Sequence, residues 1–154
     1  MPVAAIGIGS NTGDAAAHVR RAFERLAELG TVLTRSRLYR TRPWGVTEQD
    51  PFVNAAVALD TVLDPRALLA ALKRIEAEEG RVATFRWGPR VLDLDILTYG
   101  DVRLDEPGLL IPHARLHERA FALVPLAEID PSFAGLRDAL PPGERAAVVE
   151  LAPQ

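Results

Sequence analysis

Between Leu92 and Leu97 apolar and acidic side chains alternate, with Leu92, Leu94 and Ile96 set against Asp93 and Asp95. A period of two predicts a strand with one face in a core and both carboxylates on the other. Residues two apart on one strand face lie about 6.5–7 Å apart at Cα. Carboxylates that close repel each other unless cations sit between them. Hard oxygen ligands paired in this way suit Mg²⁺, which is usually held by one or two carboxylates together with substrate phosphates. The turn Arg86-Trp87-Gly88-Pro89-Arg90 runs into this strand and brings a guanidinium on each side of an aromatic residue, the groups that phosphates require. An Asp-x-Asp strand alone reads more readily as the solvated face of an edge strand. Its junction with the arginine turn points instead to metal-assisted chemistry on a nucleotide polyphosphate.

The pattern elsewhere supplies a frame for that strand. Val3 to Gly9 reads as a buried strand, and Ser10-Asn11-Thr12-Gly13-Asp14 as a turn able to cap a helix. Val19, Ala22/Phe23, Leu26 and Leu29 recur at helical spacing, with Gly30 as a stop. Thr31 to Tyr39 reads as a strand, Arg42 to Asp50 as a loop, and Phe52 to Leu59 as a strand. Asp64-Pro65 opens a second helix with the stripe Leu68, Ala71/Leu72, Ile75, ended by Gly80. Arg81 to Arg90 is a loop before the acidic strand, and Val102 to Leu104 a short strand after it. The order β-α-β-β-α-β predicts an α+β, ferredoxin-like sandwich: an antiparallel sheet with helices packed on one face, plus C-terminal additions. Ala114 to Ile129 reads as helix, broken or restarted at Pro125, and Val148-Val149 as a short edge strand.

The 154 residues predict one domain, with a catalytic core over 1–130 and a peripheral segment over 131–154. The net charge of −3 argues against a nucleic-acid partner. No apolar run approaches the ~18 residues of a membrane span, and the start lacks the basic region of a signal peptide. The chain has no cysteine, which excludes disulfides and thiolate chemistry and fits a cytoplasmic setting. Arg81, Arg86 and Arg90 cluster in an otherwise acidic chain, which favours a small anionic ligand over a long polyanion.

Gly7, Gly9 and Gly13 follow neither the dinucleotide nor the P-loop spacing; they read as room for a flat ligand or another backbone. Trp44 lies in a Pro-Trp-Gly loop where packing has little claim on it, so it is a ligand candidate, as are Phe52 and Phe121. Asn54 shares a strand face with Phe52, and its amide matches the donor–acceptor edge of a heterocycle, although by itself it reads as a satisfied core amide. His113 can donate to a phosphate; His18 and His117 are assigned no role. Glu76 to Glu79 reads most simply as a solvated helix end.

The run Arg86-Trp87-Gly88-Pro89-Arg90-x-Leu92-Asp93-Leu94-Asp95-Ile96 resembles the signature of the 6-hydroxymethyl-7,8-dihydropterin pyrophosphokinases of folate biosynthesis. Ile8-Gly9-Ser10-Asn11, Tyr39-Arg40-Thr41 before Pro43, Asn54-Ala55-Ala56, Glu76 before Gly80-Arg81, and Pro112-His113 follow in the same order. The likeness spans roughly residues 3 to 130. It implies pyrophosphoryl transfer from ATP to the pterin hydroxymethyl oxygen with release of AMP, and two Mg²⁺ ions; the chain is expected to act as a monomer. Carried over by motif, Asp93 and Asp95 would hold both metals and, with Arg81 and Arg90, form the catalytic set. Glu76, Arg86, Trp87, Ile96, His113 and Arg119 would surround ATP. Gly9, Thr41, Arg42, Trp44, Phe52, Asn54 and Phe121 would line the pterin pocket, with Trp44 and Phe121 stacking on it. The chain departs from the family pattern in a shorter Arg81–Arg86 loop, in Ala114 where an aromatic is common, and in Lys73 where a neutral amide can occur.

Overall fold

The computed structural model describes residues 2–41, 51–80 and 91–151. Strand β1 (Val3–Ser10) leads into helix α1 (Ala15–Leu26), then β2 (Thr31–Arg35), β3 (Tyr39–Thr41), β4 (Phe52–Asp60), α2 (Pro65–Glu78) and β5 (Asp93–Tyr99). The hairpin β6 (Leu104–Glu106) and β7 (Leu109–Ile111), α3 (Ala120–Ile129), α4 (Ala134–Asp138), α5 (Pro142–Ala146) and β8 (Val149–Glu150) complete the elements named here. The main sheet runs β5-β1-β4-β3-β8, with β2 also on β4, and these pairings are antiparallel. The β5-β1-β4-β2/β3 arrangement with α1 and α2 as crossovers is the ferredoxin-like fold expected.

Local chemistry places the helices where the sequence predicts them. Asp14 caps α1 by accepting the Ala17 N–H at 3.1 Å, and Asp64 caps α2 by accepting that of Ala67 at 2.8 Å, with Pro65 in the first turn. Gly30 has a different reason from the expected helix stop. A Cβ there would lie 2.2 Å from the carbonyl oxygen of Asp60, so glycine is needed for the turn to pass the end of β4.

The strand expected from Thr31 to Tyr39 is two strands. Ser36 exchanges bonds with Ala56, its N–H donating to the Ala56 carbonyl at 2.8 Å and its hydroxyl accepting the Ala56 N–H at 2.9 Å. The Arg37 N–H then turns away to the carboxylate of Glu128 on α3, at 3.1 and 3.2 Å. The four steps from Arg35 to Tyr39 therefore oppose the three from Val57 to Asn54, which is a bulge.

Two cores share the sheet. On one face Ile6, Ile8, Val57, Leu59, Leu94 and Ile96 pack against Val19, Phe23 and Leu26 of α1 and Leu68, Leu72 and Ile75 of α2. Each such Leu or Ile contributes about 1.5–3 kcal/mol when fully buried. On the other face Ala5 and Leu97 meet Leu116, Ala120, Leu123, Leu126 and Leu140. The C-terminal addition α3 therefore covers the face that α1 and α2 leave open. Pro125 does not break α3; the irregular residue is Arg119, in extended backbone between a 3₁₀ turn at Leu116–Glu118 and α3. Helix α3 begins so late that the interruption expected at Pro125 falls ahead of it instead. Leu140 is buried in the second core, and β8 pairs with β3 at the sheet edge.

Candidate functional site

The β5 alternation holds where the chemistry needs it. Leu92, Leu94 and Ile96 are buried on the α1/α2 face, so Asp93 and Asp95 project to the α3 side. Beyond them a bulge places Leu97 and Thr98 against Ala5, which returns Tyr99 to the first core.

Register then builds a row across the sheet. Asp93 lies opposite Gly9, Gly9 opposite Asn54, and Asn54 opposite Tyr39; Asp95 lies opposite Gly7. With strands about 4.7–4.9 Å apart, some 10 Å of sheet between Asp93 and Asn54 carries no side chain at Gly9. A Cβ at Gly9 would stand 3.0 Å from Asn54 Oδ1 and 3.7 Å from the Phe52 ring. At the far end of the row, Asn54 Nδ2 donates to Thr41 Oγ1 at 2.8 Å, both residues buried. That bond uses one side of the amide and leaves Oδ1 facing the glycine floor. The lone core amide of the sequence reading is thus half of a fixed donor–acceptor pair.

The acidic end is electrostatically loaded. Asp95 is pushed up to about 7, first by burial and then by the Asp93 charge, with Glu76 adding to the effect and Lys73 and Arg119 opposing it. Its side chain is 41 % exposed, so water screens part of that repulsion. His113 places Nε2 4.0 Å from Asp95 Oδ1, and its backbone N–H is anchored on the Leu97 carbonyl at 2.9 Å. Burial, followed by the Arg119 charge, holds His113 below its ordinary value, so the imidazole is neutral at pH 7. Arg119 lies over the Phe121 ring, 5.7 Å from its centroid. Among the described residues no group of three or more His, Cys, Asp or Glu side chains is placed to hold a metal ion. Two repelling hard carboxylates without a protein cage fit a cation whose remaining ligands are phosphates and water, as Mg²⁺ prefers.

Glu76 corrects the sequence reading. It is not a solvated helix end: it is 2 % exposed, and its Oε2 accepts the N–H of Leu94, between the two aspartates, at 2.7 Å. Lys73 Nζ lies 3.3 Å from its Oε1. The available signal was spacing, since Glu76 follows Leu72 by four and so shares its apolar stripe. The Ile96 side chain belongs to the α1/α2 core, which leaves only its backbone, on the outer strand, for a ligand. Gly9, Thr41, Phe52 and Asn54 come together at one end of the row, and Asp93, Asp95, His113 and Arg119 at the other. Arg119 and Phe121 also line a cavity of about 600 Å³ with Arg115, His117, Leu136, Leu140 and Pro141. Arg42, Trp44, Arg81, Arg86, Trp87 and Arg90, and the loops 42–50 and 81–90 to which they belong, lie outside the described residues.

The model of the family described as 7,8-dihydro-6-hydroxymethylpterin-pyrophosphokinase (HPPK) matches residues 5–131. The chain belongs to this family. A 2-amino-4-hydroxy-6-hydroxymethyldihydropteridine pyrophosphokinase of Methylorubrum extorquens is 52% identical over 133 residues, covering 85% of this chain and 84% of that protein. The Pseudomonas aeruginosa protein of the same name is 47% identical over 129 residues, covering 82% and 79%. The crystal structure of wild-type Plasmodium falciparum HPPK-DHPS with SDX-DHP superposes with a TM-score of 0.67 at 16% identity. It covers 90% of this chain but only 43% of that one, so the chain spans less than half of that protein's length, and the likeness is one of fold. The HPPK match takes in every residue of the row from Asp93 to Tyr39, whereas α4, α5 and β8 follow its last residue. Among the described residues no helix is long and apolar enough to cross a membrane.

Proposed function

We infer that this chain transfers a pyrophosphoryl group from ATP to the hydroxymethyl oxygen of 6-hydroxymethyl-7,8-dihydropterin, releasing AMP. One observation carries the reading at the level of geometry. In a member of the HPPK family, the row Asp93–Gly9–Asn54 sets carboxylates for a cation at one end and an amide–hydroxyl pair for a heterocycle at the other. A two-ring pterin laid on Gly9 with its polar edge toward Asn54 and Thr41 would direct its hydroxymethyl group toward the aspartates.

The hydroxymethyl oxygen forms a bond to the β-phosphorus, the bond from that phosphorus to the α–β bridging oxygen breaks, and AMP leaves with that oxygen. The hydroxyl proton passes to solvent. Asp93 and Asp95 would hold two Mg²⁺ ions, which when bound would neutralise polyphosphate oxygens and align the attacking and leaving groups. Neutral His113 would donate an N–H to a phosphate oxygen, and Arg119 would add a fixed positive charge. Arg81 and Arg90 would stabilise the transferred group, with Arg86 and Trp87 toward the nucleotide. Arg42, Trp44, Phe52 and Phe121 would enclose the pterin. With positioning and charge supplied in this way, the loose transition state of phosphoryl transfer needs little further help from a general base. The two cores share one sheet, which supports reading the chain as a single domain. The absence of cysteine supports a cytoplasmic setting.

Incubation with ATP, Mg²⁺ and the pterin, with AMP, ADP and pyrophosphate resolved by chromatography, tests the reaction. AMP formed only when pterin is present is the expected result. ADP or free pyrophosphate as the nucleotide-derived product would overturn it.

A further inference from the structure

Helix α2 carries two charges, Glu76 and Lys73, that stand behind the aspartate strand. Glu76 is buried, and a buried carboxylate is costly unless it is paired and hydrogen-bonded. Two of its contacts are directed at this strand and this helix. Oε2 takes the N–H of Leu94 at 2.7 Å, and Oε1 takes the ammonium of Lys73, one turn earlier, at 3.3 Å. Among the described residues strand β5 is the outer strand of the sheet, so the Leu94 amide on its open side has no neighbouring strand there to pair with. Leu94 is also the residue between Asp93 and Asp95. A bond from α2 to this amide therefore fixes the segment of backbone from which both aspartates project. Lys73, the only lysine in the chain, is half-exposed, and its charge reaches Asp95 and His113.

We propose that Glu76 and Lys73 are positioning residues for the Asp93/Asp95 strand: Glu76 clamps it through the Leu94 amide and adds a third negative charge behind the two aspartates, and Lys73 offsets that charge, so that cation affinity is set by two residues that do not touch the ion. This rests on the reading of Asp93 and Asp95 as cation ligands. Glu76 and Lys73 carry opposite charges, so removing either one alone changes the field at the aspartates by one full charge, in opposite directions. Removing both restores the balance. Glu76→Gln keeps an oxygen for the Leu94 N–H while losing the charge, and so separates the electrostatic effect from loss of the clamp.

The test is Mn²⁺ binding to the protein without nucleotide, followed by water-proton relaxation at pH 8.5, where Asp95 is ionised. Lys73→Gln is expected to tighten Mn²⁺ binding and Glu76→Gln to weaken it, each on the order of fivefold for a charge next to a divalent ion in a partly hydrated site. The double variant is expected to return close to the parent value. Glu76→Ala, which also releases the clamp, should weaken binding more than Glu76→Gln. Asp95→Asn serves as the control. If Asp95→Asn abolishes Mn²⁺ binding while Lys73→Gln and Glu76→Gln leave it unchanged, the role of the pair is overturned and the metal reading stands. If Asp95→Asn leaves binding unchanged, or the parent chain binds no Mn²⁺, both are overturned.

Discussion

The Tyr39 hydroxyl donates to Glu128 Oε1 at 2.5 Å, fastening β3, beneath the heterocycle end of the row, to α3 above it. Burial, followed by the Glu128 carboxylate, holds the phenol well above its ordinary value, so it stays a donor throughout the neutral range. Glu128 also receives the Arg37 N–H, and the Arg37 side chain reaches Glu150 of β8 at 2.7 Å, so two carboxylates between them tie together α3, β3 and β8.

Tyr39→Phe removes the donor and leaves Glu128 with the Arg37 amide alone. A hydrogen bond to a charged group contributes about 1.5–3 kcal/mol. Urea unfolding at pH 7.5 should show a loss in that range with an unchanged slope. Because Tyr39 lies opposite Asn54, the pterin KM should rise more than the ATP KM.

Asp95 sets stability against function. Its folded-state value of about 7 stands above the 3.8 of an unperturbed aspartate. Between those values the folded chain binds more protons than the unfolded one, so stability from this group falls as pH rises from about 4 through 7. Asp95→Asn removes the repulsion and should stabilise the ligand-free protein at pH 8 by about 1 kcal/mol, discounted for the exposure of the side chain. The gain should shrink as pH falls toward 4, while pterin-dependent AMP formation is lost at every pH. Thermal melts at pH 8 and pH 5 check the sign; a variant less stable than the parent at pH 8 would contradict it.

In the parent enzyme the same proton competes with the cation. Lowering the pH from 8 to 6 at fixed low Mg²⁺ should depress turnover, and raising Mg²⁺ at pH 6 should restore it. Depression at pH 6 that saturating Mg²⁺ fails to relieve would assign the titration to another group.

The sequence carried the frame because its signals were local. The period-two pattern at Leu92–Ile96 and the caps at Asp14 and Asp64 each depend on neighbours a few residues away, and the fold follows them. Glu76 was misread because its acceptor role depends on the open amide of Leu94, eighteen residues on, and no helix-face rule reports the edge of a distant strand. The split at Ser36 was hidden for the same reason, since a serine hydroxyl replacing a ladder partner is visible only once Ala56 stands opposite. The Asp93–Gly9–Asn54 row joins three strands, and spacing along the chain says nothing of register across it. The motif likeness named these residues without explaining why they belong together.

Gly9 is where that register can be tested. Its backbone needs no left-handed conformation, so Gly9→Ala is not excluded by strain, and among the described residues the added methyl meets Asn54 Oδ1 and the edge of Phe52. The fold should survive with a loss of about 1 kcal/mol or less, the neighbour having to yield by a few tenths of an ångström. A ligand lying flat on the floor has no such freedom: a methyl standing up from the sheet lifts it away from Asn54 and from the aspartates together. Pterin affinity measured by calorimetry should therefore fall at least tenfold, with ATP affinity changed less than twofold. Equal losses for the two ligands would mean that Gly9 serves the sheet rather than the heterocycle.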